Sequence, residues 1–127
     1  MTENELARII VDTAFKVHTK LGPGLLESVY HAVMKHELKK RGLEVEGEVA
    51  VPVMWDELQL EVGFRADLIV EKKVVIELKS VEQIAAVHKK QLPTYLKLTG
   101  CSLGLLINFN TPLIKDGITR VVNGLPD

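Results

Sequence analysis

Between Gly63 and Lys79 the chain reads GFRADLIVEKKVVIELK, and no other stretch constrains the fold as tightly. It predicts two short strands joined by a tight charged turn at Lys72-Lys73. Side chains alternate faces along a strand with a period of two. Arg65, Asp67 and Ile69 are therefore expected on one face, with Phe64, Ala66, Leu68 and Val70 on the other. On the second strand Val75, Glu77 and Lys79 lie together, opposite Val74, Ile76 and Leu78. Pairing the strands brings two carboxylates and an ammonium to one side of a sheet. The residues alone leave two readings: a metal site, or a cross-strand salt bridge on a solvated face contributing well under ~1 kcal/mol.

The surrounding chain supplies helices and further strands. Thr2 and Glu5 have capping-box spacing ahead of Leu6, Ile9, Ile10, Ala14, Val17 and Leu21, which predicts a helix from about residue 3 to 20. Gly22-Pro23-Gly24 stops it. A second helix is expected from about Gly24 to Arg41, with Leu25, Leu26, Val29, Tyr30, Val33 and Met34 on a broad apolar face. Glu27 falls at the rim of that face, half desolvated. Val45, Val49, Val51 and Val53 mark one or two strands between Leu43 and Trp55, and Asp56-Glu57 is a turn. Leu58 to Val62 leads into the Asp67 strand.

A third helix is predicted over residues 82 to 99, with Leu92, Tyr95, Leu96 and Thr99 on one side and Gly100 as its stop. Pro93 inside it is expected to cost a hydrogen bond and introduce a kink. Ser102 to Asn108 reads as a buried strand after that helix, as in a crossover unit. Ile118 to Val122 follows as an edge strand. The predicted order is ααββββαββ, a single α/β domain over residues 1–127 with a mixed sheet.

Composition narrows the class. With 46% apolar and 26% charged residues the chain is an ordinary globular sequence, which excludes wholesale disorder. The single cysteine, Cys101, allows no internal disulfide and suits a reducing compartment. No basic leader with an apolar core and no run of ~20 apolar residues occurs, so a cytoplasmic protein without a membrane partner is expected. A net charge of −1 advertises no broad nucleic-acid surface, although Lys35, Lys39, Lys40 and Arg41, then His88, Lys89 and Lys90, make local basic runs.

Glu-x-Lys spacing occurs three times, at Glu37/Lys39, Glu71/Lys73 and Glu77/Lys79. Only the last lies on an apolar strand, where spacing two puts both side chains on one face. Asp67 on the preceding strand adds the second hard oxygen donor that Mg²⁺ favours. Gln91-Leu-Pro-Thr-Tyr95 places Gln91 and Tyr95 on one helical face. Gly24-Leu-Leu-Glu27-Ser-Val-Tyr30 completes the set. Tyr30 reads first as a core aromatic, and the four histidines show no metal-ligand spacing, His88 alone standing near the Gln91 turn.

In this order the motifs resemble the PD-(D/E)XK nuclease superfamily, and within it the small GxxExxY family. Ala66 stands where the superfamily's name has proline. The resemblance implies a restriction-endonuclease-like core, a mixed central β-sheet flanked by α-helices. It implies Asp67, Glu77 and the Leu78 carbonyl as metal ligands, with Glu27 reaching the metal directly or through water. Lys79 would assist catalysis, and Gln91 and Tyr95 would position the nucleic-acid backbone or the metal-bound water. Mg²⁺, with Mn²⁺ as substitute, and phosphodiester hydrolysis of DNA or RNA follow from the same resemblance. A bare domain this small needs a second copy to cut both strands, so a homo-oligomer is expected. The alternative is a catalytically silent nuclease-fold domain serving as a self-assembling or binding module.

Overall fold

The first helix starts where the capping box predicts. In the computed structural model, which describes residues 1–125, the Glu5 amide donates to Thr2 Oγ1 at 3.1 Å. The Thr2 amide donates to Glu5 Oε1 at 3.0 Å. Two amides of the first turn, which lack helical acceptors, are thereby satisfied. Helix α1 spans Glu3–Leu21 and turns Leu6, Ile10, Ala14 and Val17 inward.

Helix α2 spans Glu27–Lys40, three residues shorter at its start than the sequence predicts. Its buried face is also narrower: Tyr30, Met34 and Leu38 are buried, whereas Leu25, Leu26 and Val29 are exposed. Tyr30 accounts for the later start. Its hydroxyl donates to the Gly22 carbonyl at 2.6 Å and accepts from the Leu25 amide at 3.1 Å. The loop thus finds in one side chain the polar partners another helical turn would have given it. Gly24 there has φ of 91°, a backbone glycine adopts without cost.

Five strands form one sheet in the order β1-β2-β3-β4-β5. They are β1 (Val45–Trp55), β2 (Leu58–Val70), β3 (Val74–Lys79), β4 (Leu103–Asn108) and β5 (Ile118–Val122). Only β3 and β4 run parallel, joined through helix α3 (Ala86–Thr99). A single 3₁₀ turn, Ile114–Gly117, precedes β5. The mixed α/β sheet flanked by helices is the fold class that the sequence predicts. Three strands precede α3, however, and not four: 45–55 and 58–70 are each continuous. Glu71 and Lys72 both have positive φ, 52° and 57°, and the Lys73 amide closes on the Val70 carbonyl at 2.9 Å. These are the marks of a type I′ turn, whose twist matches the strands it joins.

Both sheet faces are covered. Leu6, Ile10, Tyr30, Met34, Ile76 and Phe109 pack in one layer under α1 and α2. Ile69, Val75, Leu92, Leu96 and Leu106 pack in the other, under α3. Every residue of β4 is buried, as a parallel strand covered on both sides requires. Helix α3 runs unbroken through Pro93. Its seat is Gly104, where a Cβ would come 2.9 Å from Leu92 Cδ1. No helix among the described residues is long and apolar enough to cross a membrane.

Candidate metal centre

The β2–β3 ladder pairs Val70 with Val74, Ile69 with Val75 and Leu68 with Ile76, and stops there. Continued one step, it would set Asp67 beside Glu77. Instead the Leu78 amide donates to Asp67 Oδ2 at 2.7 Å, so a side chain takes the place of a backbone acceptor. The strict alternation expected along β2 fails at this point. Phe64 and Ala66 pack in the α3 layer with Ile69 and Val75, while Leu68 and Val70 belong to the opposite layer. On the neighbouring β1, Glu48, which would face Asp67, has φ of 52°. The strand pair is bent where the carboxylate sits.

Glu77 lies on the α3 side and is only 9% exposed. Burial raises its carboxyl to about 8, reinforced by the charge of Asp67 beside it and opposed in part by Lys79. Glu77 Oε1 is shielded from solvent and has no hydrogen-bond partner. Two carboxyls held together, with one buried oxygen unpaired, are costly in the absence of a cation. The hard oxygen donors and the orphaned acceptor fit a divalent ion that keeps several waters. Among the described residues no three His, Cys, Asp or Glu side chains, Asp67, Glu77 and Glu27 included, come together closely enough to hold a metal ion by themselves. Water or substrate oxygens would have to complete the coordination.

Tyr95 feels the charge of this centre. Burial first, then the charges of Glu77 and Asp67, push its hydroxyl upward. Its ring stacks on Phe64 with centroids 3.7 Å apart. Gln91 lies one helical turn earlier and is exposed. His88 Nδ1, in the same stretch of α3, is buried without a partner.

Glu27 opens α2 and is exposed, not half desolvated as the sequence suggests. The Ser80 amide lies 3.5 Å from Glu27 Oε2, and the Ser80 hydroxyl donates to the Leu25 carbonyl at 2.5 Å. The strand end after Lys79 is thereby tied to the loop before α2. Glu27 shares a cavity of about 230 Å³ with Ser28, His31, Glu48, Asp67 and Leu78. Tyr30 points the other way, stacked on Phe109 at 4.3 Å, the core role its residue type suggests.

Two residues of the cavity escape sequence reasoning. His31 Nε2 is 2.9 Å from the Asp67 carbonyl oxygen and 3.6 Å from Glu48 Oε1. His31 follows Glu27 by four, so both project from one face of α2. That spacing was a usable signal. The approach of Glu48 was not, because it depends on a left-handed residue inside a strand.

The profile of the PD-(D/E)XK nuclease superfamily matches residues 4–121. The chain belongs to this superfamily. PD-(D/E)XK nucleases generally use divalent metals, in keeping with the donor set above. Among solved structures, the chain is similar to one described as the crystal structure of SSO0001, at 27% identity and a TM-score of 0.52. The match covers 79% of this chain and 50% of that one, so the chain spans half that protein's length. No curated protein sequence matches the chain.

Proposed function

We propose that this PD-(D/E)XK protein, of the GxxExxY type, is a Mg²⁺-dependent nuclease that hydrolyses phosphodiester bonds in DNA or RNA. The observation that carries the proposal is the Asp67–Glu77 pair, with its buried unpartnered oxygen. Asp67, Glu77 and the Leu78 carbonyl hold the ion, and Glu27 joins directly or through water from the cavity mouth. When bound, such an ion lowers the pKa of a coordinated water and neutralises charge on the phosphoryl group. Lys79 orients the attacking water or steadies the phosphate oxygens. Gln91 and Tyr95 align the backbone, with the Tyr95 hydroxyl protonated and able to donate. The buried free thiol of Cys101 suits a cytoplasmic setting, and a second copy would serve the opposite strand.

Purified protein incubated with single- and double-stranded DNA, and with RNA, in Mg²⁺ or Mn²⁺ tests this. Cleavage is expected to require the metal and to vanish in Asp67→Ala and Glu77→Ala; activity surviving both substitutions removes the site assignment. A second reading, a silent assembly or binding module, draws on the exposed apolar side chains at the tip of the β1–β2 hairpin, Trp55 and Leu58 among them. Calorimetric Mn²⁺ binding without cleavage of any of these substrates favours it.

A further inference from the structure

The β1–β2 hairpin outruns the rest of the sheet. Beyond Leu68 its inner strand has no β3 partner, so residues 58–66 of β2 pair only with β1. Near the tip Met54, Trp55, Leu58, Leu60 and Val62 are all exposed, Trp55 by 71%. Trp55 pairs with Leu58 and Val53 with Leu60, so these four form one apolar strip on one side of the ribbon. Clustered large apolar groups on an open-edged ribbon mark an interaction surface and not ordinary scatter. The tip is also acidic. Asp56, Glu57 and Glu61 are exposed, and among the described residues no cation pairs with any of them. Between residues 54 and 62 no lysine, arginine or histidine offsets these carboxylates. Such an arm repels a phosphate backbone and selects an apolar surface that has cations to spare.

The same chain carries a surface of that kind between α1 and α2. A groove of about 420 Å³ runs there, with Val17, Leu21 and Val33 among its apolar lining. Val29, one turn before Val33 on the same face of α2 and exposed, extends that lining. The charges around the groove do not cancel. Arg41 holds Asp12 at 2.9 Å, and Lys40 holds Glu37 at 3.6 Å, so each carboxylate already has a cation. Lys16 keeps only a second claim on Asp12, at 3.5 Å, with its side chain well exposed. Lys20 lines the groove, is exposed, and has no hydrogen bond or ion pair among the described residues. Lys16 and Lys20 are therefore the surplus. Clefts of roughly 300–1,000 Å³ take an apolar group of drug size, so side chains such as Trp55 and Leu58 fit.

We infer that the hairpin tip of one chain docks in the α1/α2 groove of a second copy, Trp55 and Leu58 covering Leu21, Val29 and Val33 and the tip carboxylates meeting Lys16 and Lys20. Arm and groove are different surfaces, so the contact is head-to-tail, and repeated copies form a ring or an open chain. A tip contact covers less than the roughly 800 Å² per partner of a standard interface, so assembly depends on concentration. No residue of the groove lines the Asp67 cavity, so the contact stands whether or not the chain cleaves nucleic acid.

Trp55 is the only tryptophan in the chain, so its emission reports the contact directly. Sedimentation across a micromolar-to-millimolar series is expected to show growing species, accompanied by a blue shift of that emission. An arm variant, Trp55→Ser with Leu58→Ser, and a groove variant, Lys16→Glu with Lys20→Glu, alter exposed side chains only. Each is expected to be folded by circular dichroism and monomeric. Mixed together, they retain one intact arm and one intact groove and should give a 1:1 heterodimer and nothing larger. Trp55→Phe should assemble as the natural chain does, and so should Asp67→Ala, which separates this contact from the metal site. A natural chain that stays monomeric throughout overturns the inference, whether or not Lys16 and Lys20 bind nucleic acid instead. So do folded variants that still assemble, or a mixture that stays monomeric.

Discussion

At the scale of single residues, Glu77 sets the terms. Its folded-state carboxyl lies near 8 against an ordinary value of 4.5. Between those values the unfolded chain has released a proton that the folded chain keeps. Stability therefore falls as pH rises from about 4.5 to about 8 and levels off beyond, by at most ~1.4 kcal/mol per pH unit. Urea unfolding without divalent metal at pH 5, 6.5 and 8.5 should show that decline, and Glu77→Gln should flatten it. His31 makes a second test. It bonds the Asp67 carbonyl from α2, so it fixes the helix that carries Glu27 against the bent strand. His31→Ala is expected to weaken Mn²⁺ binding about 10–100-fold, the usual cost of removing a group that orients a metal ligand. His31→Gln, which keeps a donor at similar reach, should recover most of the affinity by calorimetry.

At the scale of elements, two connections aim the site. Tyr30 ties the loop at Gly22 and Leu25 to the start of α2. Tyr30→Phe keeps the stack on Phe109 but leaves those loop groups unpaired, at about 1–3 kcal/mol in denaturant unfolding. It should also lower cleavage, because Glu27 opens that helix. Helix α3 depends on the missing side chain at Gly104. Gly104→Ala presses a methyl into Leu92 and should cost about 1–3 kcal/mol, shifting α3 and with it Tyr95. The tyrosine's absorbance titration in that variant should move back towards an ordinary phenol. Pro93 proves compatible with α3, since the helix carries Leu92 and Leu96 into the core on either side of it.

At the scale of the whole molecule, a cation that neutralises the Asp67–Glu77 pair stabilises the folded chain by mass action. Adding Mn²⁺ at pH 8 should raise the melting temperature, chelation should reverse the rise, and Asp67→Ala should abolish it. The rise should be smaller at pH 5, where Glu77 holds its proton and the metal must displace it.

Much of this architecture was legible because local rules agree with the fold. The capping box at Thr2, the stop at Gly100, the buried run of β4 and the period-two residues of β3 each act within a few positions, so spacing alone locates them. Asp67, Glu77 and Lys79 could be placed on two adjacent strands for the same reason. What escaped the sequence depends on groups far apart in the chain. The shortened start of α2 follows from Tyr30 reaching back to Gly22. The change of face at Asp67 follows from the Leu78 amide choosing a carboxylate over the ladder. The approach of His31 and Glu48 needs β1 and α2 in their final positions. The sequence by itself determined which residues carry charge on apolar strands. Only the tertiary structure decided that one of them, Glu77, is buried without a partner, because desolvation is a property of the packed layers around a side chain and not of its neighbours in the chain.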